Sequence, residues 1–194
     1  MSQNVFHDAL AALGRALDSA GRPWMIIGGL AVIAHGVPRT TIDVDATVSA
    51  GLVDVDALLA ALSAEGITGR IPDAAGFARE HQVLLVEHRP TGVPLDVTLA
   101  WLPFELEAIG HAVRVPFAGM SLPVPRAEDL VIYKLVAARP RDVDDAERLL
   151  LLHAGHVDLG RVRRVLEQFC QVLEDQSRLE QLDRLIARTK GGAG

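Results

Sequence analysis

Several residue types are scarce in this chain of 194 residues. A single cysteine, Cys170, excludes an internal disulfide and fits a reducing compartment, so the sequence predicts a cytoplasmic protein. No apolar run approaches the roughly 20 residues that a membrane-spanning helix needs, and we expect no membrane partner. The N-terminal residues also lack the basic-then-apolar pattern of a secretory signal.

Positive charge is also in short supply. The chain has 19 Lys and Arg against 25 Asp and Glu, which gives a net charge of −6. Proteins that bind nucleic acid over a wide surface are usually basic, because neutralised phosphates drive the affinity. RNA binding would therefore need a local patch, and Arg161, Arg163 and Arg164 could form one. Only two lysines are present, Lys134 and Lys190, and Lys134 stands within an apolar segment.

Hydrophobic residues make up 49% of the sequence, which is enough for a sizeable core. Strands predominate in the first part of the chain and helices in the last, which predicts an α/β or α+β fold. We expect a core over residues 1–125 and a helical C-terminal portion over residues 126–190, packed on it as one unit. The predicted helices cover 5–20, 30–35, 53–64, 127–138, 142–153 and two segments within 159–188. The predicted strands cover 24–27, 43–48, 82–86, 95–99, 113–117 and 121–124.

Two glycines and two acids form the most informative pattern. Gly28 and Gly29 follow an apolar run, where glycine permits a tight turn and exposes backbone amides to an anion at a helix N-terminus. Asp43 and Asp45 are two positions apart, so on a strand both carboxylates leave the same face. Such carboxylates repel each other unless a cation lies between them, and magnesium prefers oxygen ligands. The pattern predicts a phosphate site beside a metal site.

The segment 28–45 resembles the signature of the DNA polymerase β-like nucleotidyltransferase superfamily: an apolar residue, Gly, Gly or Ser, a spacer, then Asp-apolar-Asp. Within that superfamily the chain looks most like the AbiEii/AbiGii toxin type of minimal nucleotidyltransferase. Segments 129–135 and 141–146 are similar to that group's Lys and Arg-Asp-x-x-Asp motifs. The resemblance runs from about Met25 to Leu152. It implies a polymerase β-like core with a mixed, mostly antiparallel sheet.

Asp96 interrupts an apolar strand, where a lone charge is costly to bury without a cation or a partner. The superfamily places a third acid on a neighbouring strand. The resemblance therefore implies that Asp96 joins Asp43 and Asp45 as a metal ligand and helps to activate an acceptor hydroxyl. The alternatives are that Asp96 points to water, or that Glu87 takes this role.

A basic and acidic group follows later in the chain. Lys134 could contact a phosphate as a point charge, or could reach solvent from the rim of its helix. Asp142 and Asp145 stand at the start of the next helix, and we expect at least one to stabilise that helix end. The resemblance implies that Lys134 and Asp145 are catalytic, and that Lys134, Arg141 and Asp142 bind nucleotide. Arg141 would pair with Asp145 or contact phosphate, and Arg39 could bind the triphosphate.

Together these features predict a magnesium-dependent nucleotidyltransferase with two ions, moving a nucleoside monophosphate from a nucleoside triphosphate to an acceptor hydroxyl. The resemblance implies that the acceptor is a small RNA such as a tRNA 3′ end, with growth arrest as the outcome and an antitoxin protein as partner. One alternative is an aminoglycoside or lincosamide nucleotidyltransferase, since the acidic chain suits a cationic acceptor. Another is a non-catalytic interaction module of the same fold.

Overall fold

A computed structural model describes residues 2–191, with side chains described for residues 5–189. The helices are α1 (Ser2–Ser19), α2 (Gly28–Ala34), α3 (Val55–Ala64), α4 (Ala74–His81), α5 (Pro103–Gly110), α6 (Ala127–Ala137), α7 (Pro140–Leu152), α8 (Leu159–Leu173) and α9 (Ser177–Gly191). The strands are β1 (Trp24–Ile26), β2 (Val44–Val48), β3 (Ile67–Gly69), β4 (Val83–His88), β5 (Val93–Leu99), β6 (Val113–Phe117) and β7 (Met120–Val124).

Five strands form a mixed sheet in the order β1-β2-β5-β4-β3. Only the β2–β5 pair is parallel within this sheet, and the other three pairs are antiparallel. Strands β6 and β7 form a separate antiparallel hairpin, and β7 contacts β1. The parallel pair lies at the centre of the sheet, so residues of β2 and β5 become direct neighbours although about fifty positions separate them.

The two faces of the sheet differ in burial. Along β4 and β5 every second side chain is buried, as Leu84 and Leu95 are, and helices α1 and α3 contact strands β5 and β3. The alternating residues, Leu85 and Asp96 among them, are only half-buried. This period-two pattern is what a strand with one core face produces. It leaves a polar face of the sheet open next to β2.

The C-terminal helices pack on one another, with α6 in contact with α7, α8 and α9. Helix α7 begins with Pro140 at its first turn, a position where the missing amide hydrogen costs no intrahelical bond. Side chains from these helices belong to the same hydrophobic cluster as the sheet. Within residues 2–191, no helix combines the length and apolarity that crossing a membrane requires.

The predicted order of elements is confirmed, with three additions and two shifted starts. The sequence does not predict β3, α4 or α5, which are all eight residues long or shorter. Helix α2 was predicted to start at Leu30 but begins at Gly28, so the two glycines form its first turn. Strand β2 begins at Val44, so Asp43 lies immediately before the strand and not within it.

Candidate active site

Gly28 joins β1 to α2 in a left-handed conformation, with φ of +61°. A Cβ atom at this position would lie 1.9 Å from Oδ2 of Asp45, so the Asp45 side chain would have to move. The backbone is fixed there too, because the amide of Ile27 donates a hydrogen bond of 2.9 Å to the carbonyl of Asp45. The glycine is therefore required twice, for its backbone conformation and for the space that the Asp45 carboxylate occupies.

The space around Gly29 is also too small for a side chain. A Cβ atom there would lie 2.7 Å from Oγ1 of Thr41 and 3.1 Å from Cζ of Arg39. Oγ1 of Thr41 also donates a hydrogen bond of 2.7 Å to Oδ1 of Asp43. The predicted glycine pair thus lies directly against the segment that carries the predicted acids.

The register of β2 and β5 brings two of the three predicted acids side by side. Asp45 and Asp96 are Cα partners on adjacent parallel strands, so their side chains leave the same face about 4.8 Å apart. Glu87 lies one strand further away, opposite Pro94, and its carboxylate pairs with Arg89 at 2.9 Å. Geometry therefore favours Asp96 over Glu87 as the neighbour of Asp45.

Crowding of carboxylates changes the acidity of Asp45. Burial, followed by the charges of Asp43 and Asp96, raises the pKa of Asp45 from 3.8 to about 6. The nearby charges of Lys134 and Arg39 act in the opposite direction and only partly offset this rise. A cation bound here would relieve the repulsion and favour the ionised carboxylate.

Four charged side chains form a buried network between the α2–β2 connection and helices α6 and α7. Nζ of Lys134 lies 3.0 Å from Oδ1 of Asp142 and 3.0 Å from Oδ2 of Asp145. Nη1 of Arg39 lies 2.5 Å from the same oxygen of Asp145. The side chains of Lys134 and Asp145 are only 7% and 4% exposed. Two cations and two anions thus balance in a largely buried network.

This network corrects two expectations. We expected Asp142 or Asp145 to stabilise the start of its helix, and Asp142 does lie in the first turn, where the helix dipole favours an acid. Neither acid caps the helix, because the N-cap is Arg139 and makes no side-chain capping bond. Both acids turn inward to Lys134, because a buried ammonium needs partners more than an exposed helix end does. Of the two alternatives for Arg141, pairing with Asp145 is wrong, since Arg39 takes that position, and contact with phosphate stays a prediction.

A cavity of about 590 Å³ opens beside these groups. Asp96 and Asp145 do not line the cavity. Each lies next to a residue that does, since Asp96 is the strand neighbour of Asp45 and Asp145 is paired with Lys134. Arg139 and Arg141 at its edge are exposed and have no ion-pair partner among residues 5–189. The lining residues are Ile27, Gly28, Gly29, Arg39, Thr40, Thr41, Ile42, Asp43, Asp45, Tyr133, Lys134, Ala137, Arg139, Arg141 and Asp142.

The donor atoms at Asp43 and Asp45 fit magnesium. Neither carboxylate has an ion-pair partner among residues 5–189, whereas Asp96 is paired with Arg70 at 2.6 Å. Among the residues that the structure describes, no three His, Cys, Asp or Glu side chains converge as a metal-binding group. Magnesium in nucleotide enzymes is commonly held by one or two carboxylates together with substrate phosphates. Asp43 and Asp45 supply that minimum, and the predicted three-acid set stays a prediction.

Two charged residues at the site were not predicted. Arg139 lines the cavity, and Arg70, which follows the edge strand β3, contacts Asp96. Arg139 directly precedes the Pro140 that opens α7, and that local signal could have placed it near the motif. Arg70 has no local signal, since its contact depends on the pairing of three strands.

The fold is that of the nucleotidyltransferases. The antibiotic-resistance factor ANT(2'')-Ia in solution is 21% identical, with a TM-score of 0.61 over 88% of this chain and 94% of that chain. A crystal structure of ANT(2'')-Ia in complex with adenylyl-2''-tobramycin is 18% identical, with a TM-score of 0.56 over 100% of both chains. An antigenic nucleotidyltransferase-like protein from Paracoccidioides brasiliensis is 17% identical, with a TM-score of 0.53 over 94% of each chain. These similarities confirm the predicted polymerase β-like architecture.

A family model described as nucleotidyltransferase of unknown function (DUF6036) matches residues 4–190. The chain belongs to this family and is therefore a nucleotidyltransferase, as the Gly28–Asp45 segment predicts. Comparison with curated proteins finds no match. Membership of the superfamily is confirmed, while the AbiEii/AbiGii type stays a prediction.

Proposed function

We propose that this nucleotidyltransferase is magnesium-dependent and moves a nucleoside monophosphate from a nucleoside triphosphate to an acceptor hydroxyl. The proposal rests on the position of the Asp45 carboxylate, which lies against Gly28 and has Asp43 and Asp96 beside it. An acid with a raised pKa at the wall of a cavity is costly for stability and is typical of functional sites.

Asp43 and Asp45 would hold the magnesium ion between their carboxylates. When bound, the ion would offset the negative charge of the triphosphate and polarise the phosphate that is attacked. The helix that begins at Gly28 presents backbone amides to the same place, and the positive end of its dipole favours phosphate. The chain supplies positions and charges here and needs no covalent intermediate.

The basic residues would bind the triphosphate. Arg141, exposed at the cavity edge and without an ion-pair partner among residues 5–189, has its full set of donors available. Lys134 and Arg39 keep donors too, because an ammonium has three N–H groups and a guanidinium has five. Asp142 and Asp145 would act through these cations, holding them in position and limiting their positive charge.

Asp96 would accept a hydrogen bond from the acceptor hydroxyl and take its proton as that oxygen attacks the α-phosphate, while the bond from the α-phosphorus to the bridging oxygen breaks and pyrophosphate leaves. Its strand register beside Asp45 supports this role. The half-buried face of β4 and β5 next to Asp96 would then face the acceptor. Residues 126–190 would pack with residues 1–125 as one unit, since both portions line the cavity.

For the acceptor we propose the 3′ end of a small RNA such as a tRNA, with an antitoxin protein as regulator of a cytoplasmic toxin. Arg139 supports this, since it is exposed at the cavity edge next to Arg141. The basic patch expected from the sequence, Arg161, Arg163 and Arg164, has less positive charge available for RNA than three arginines indicate. Arg161 is paired with Asp129 at 2.8 Å and with Glu107 at 2.7 Å, and Arg163 is paired with Asp183.

An aminoglycoside or lincosamide acceptor is the second candidate. The net charge of −6 supports it, because a polycationic sugar is attracted to an acidic protein and RNA is not. The acids that line the cavity, Asp43, Asp45 and Asp142, would attract ammonium groups in the same way.

One labelling experiment separates the candidates. The protein, magnesium and each α-labelled nucleoside triphosphate are incubated with total small RNA or with an aminoglycoside and lincosamide panel. We expect label on RNA of tRNA size with the wild type and none with Asp45→Asn. Label on an antibiotic with RNA blank would overturn the RNA acceptor and the toxin role. No label on any acceptor, with no magnesium-dependent nucleotide binding, would overturn the proposed chemistry itself.

A further inference from the structure

Arg70 follows the short edge strand β3 and reaches the candidate third acid from the side opposite Asp45. Its Nη1 lies 2.6 Å from Oδ1 of Asp96 and 3.5 Å from the carbonyl oxygen of Leu95. The two side chains are 29% and 37% exposed, so the pair lies at the margin of the site and not on an open surface.

Strand register explains how Arg70 arrives there. Asp45 is paired with Asp96, Asp96 is paired with Leu85, and the amide of Arg70 donates to the carbonyl of Leu85 at 3.1 Å. The four residues therefore form one row across β2, β5, β4 and the end of β3. Adjacent strands are about 4.8 Å apart, so the long arginine side chain has to cross β4 above Leu85 to reach Asp96.

The contact with Arg70 distinguishes Asp96 from Asp43 and Asp45, because it gives Asp96 a nearby cation. Oδ1 of Asp96 is buried and accepts no well-formed hydrogen bond, and Arg70 is the cation within 4.0 Å of it among residues 5–189. Asp43 and Asp45 have no cation within that distance in the same part of the chain. One acid already has a fixed positive partner, and two do not.

We propose that the guanidinium of Arg70 takes the place of a second divalent cation at Asp96. The chain then holds one magnesium ion per nucleotide, through Asp43 and Asp45. This inference rests on the proposed function and replaces the two ions expected from the sequence with one ion plus the guanidinium of Arg70. Oδ2 of Asp96 stays available for the acceptor hydroxyl, while Arg70 is a positioning residue that holds the opposite oxygen.

A planar guanidinium suits this task because it stays charged at every working pH, and here its Nη1 lies 2.6 Å from Oδ1 of Asp96 as a close ion pair. A divalent ion at the same oxygen would lie close to Arg70, and the two like charges would repel each other strongly in a partly buried site. Arg70 thus lowers the affinity of Asp96 for metal as well as occupying its oxygen.

Counting bound manganese tests the proposal without using catalysis. Manganese, which replaces magnesium at oxygen sites, is titrated into the protein with a nucleoside triphosphate analogue whose α–β bridge is a methylene group. Electron paramagnetic resonance then reports bound ions and shows spin coupling when two ions lie about 3.5–4 Å apart. We expect one uncoupled ion per bound nucleotide in the wild type, and two coupled ions in Arg70→Ala.

Three variants serve as controls. Arg70→Lys keeps a positive charge near Asp96 and is expected to hold one ion. Arg89→Ala removes a neighbouring edge arginine that pairs with Glu87, so it is also expected to hold one ion. Adding Asp96→Asn to Arg70→Ala is expected to return the count to one, because the second ion needs the Asp96 carboxylate.

Two coupled ions in the wild type, or one ion in a folded Arg70→Ala, would overturn the proposal and leave nucleotidyl transfer standing. If Arg70→Ala does not fold, Asp96→Asn alone decides: a retained wild-type ion supports the proposal, and a lost ion refutes it. Absence of any nucleotide-dependent manganese binding in the wild type would instead overturn the proposed function.

Discussion

Replacing Asp45 with asparagine removes one charge from the crowded acid group while keeping the shape of the side chain. In the wild type, burial and the carboxylates of Asp43 and Asp96 raise the pKa of Asp45 from 3.8 to about 6. Because the folded pKa is raised, the folded protein holds this proton more tightly than the unfolded chain does. The stability from protonation is fully present below pH 3.8 and is lost as the pH rises through about 6.

The size of the loss follows from the two pKa values. Each pH unit between them corresponds to about 1.4 kcal/mol, so ionised Asp45 costs the metal-free protein about 3 kcal/mol at pH 7.5. For a chain of this length, that difference raises the Tm of Asp45→Asn by about 6–12 °C at pH 7.5. Near pH 4 the two proteins differ by roughly 0.5 kcal/mol or less.

The assay is urea unfolding and thermal melting of both proteins in chelator-treated buffer from pH 4 to pH 8. The control is Asp56→Asn, at an exposed residue in the first turn of α3 that pairs with Arg79 on the surface, and it is expected to follow the wild type closely at every pH. Magnesium with a nucleoside triphosphate should then stabilise the wild type but not Asp45→Asn. Parallel stability curves for wild type and Asp45→Asn across this pH range would refute the reasoning.

Two further predictions concern the glycine and the buried network. Gly28→Ala and Gly21→Ala both place alanine at positive φ, +61° and +64°, and this backbone strain should cost each about 1–2 kcal/mol. Gly28→Ala should lose more than Gly21→Ala, because only its Cβ would also clash with a neighbour, Asp45. Only Gly28→Ala displaces Asp45, so only it should lose the rise in Tm that magnesium and nucleotide cause. If Gly21→Ala also loses this rise in Tm, the reasoning is contradicted. Lys134→Met leaves Asp142 buried without its cation and should lower the free energy of unfolding by about 3–5 kcal/mol. Adding Asp142→Asn should recover part of that loss in urea unfolding, and no recovery would contradict the pairing.

The local part of the site could be predicted from the sequence. Gly28, Asp43 and Asp45 lie within 18 consecutive positions, and their residue types carry their own reasons, namely a left-handed turn and paired charges. Asp96 could also be predicted, because a charge inside an apolar strand demands a partner. Its position next to Asp45 depended only on the two strands being neighbours, which the fold provides.

The rest depended on tertiary contacts. Arg39 and Asp145 are 106 positions apart, and Arg70 meets Asp96 through the register of three strands, so neither pair has a local signal. Helix α4 was missed although a start signal exists, since Asp73 accepts a hydrogen bond from the amide of Gly76 at 2.8 Å. A glycine inside a helix of eight residues lowers its propensity, and the tertiary contacts of α4 with β4 outweigh that.

Our central proposal is that one cavity binds a triphosphate beside a metal ion held by Asp43 and Asp45. The most direct measurement is anomalous diffraction from crystals soaked with manganese and the methylene-bridged nucleotide analogue. We predict a manganese peak between the carboxylates of Asp43 and Asp45, with the triphosphate extending past Arg39 and Lys134 towards Arg141. A nucleotide bound outside this cavity, or a manganese peak that contacts neither Asp43 nor Asp45, would contradict the proposed site.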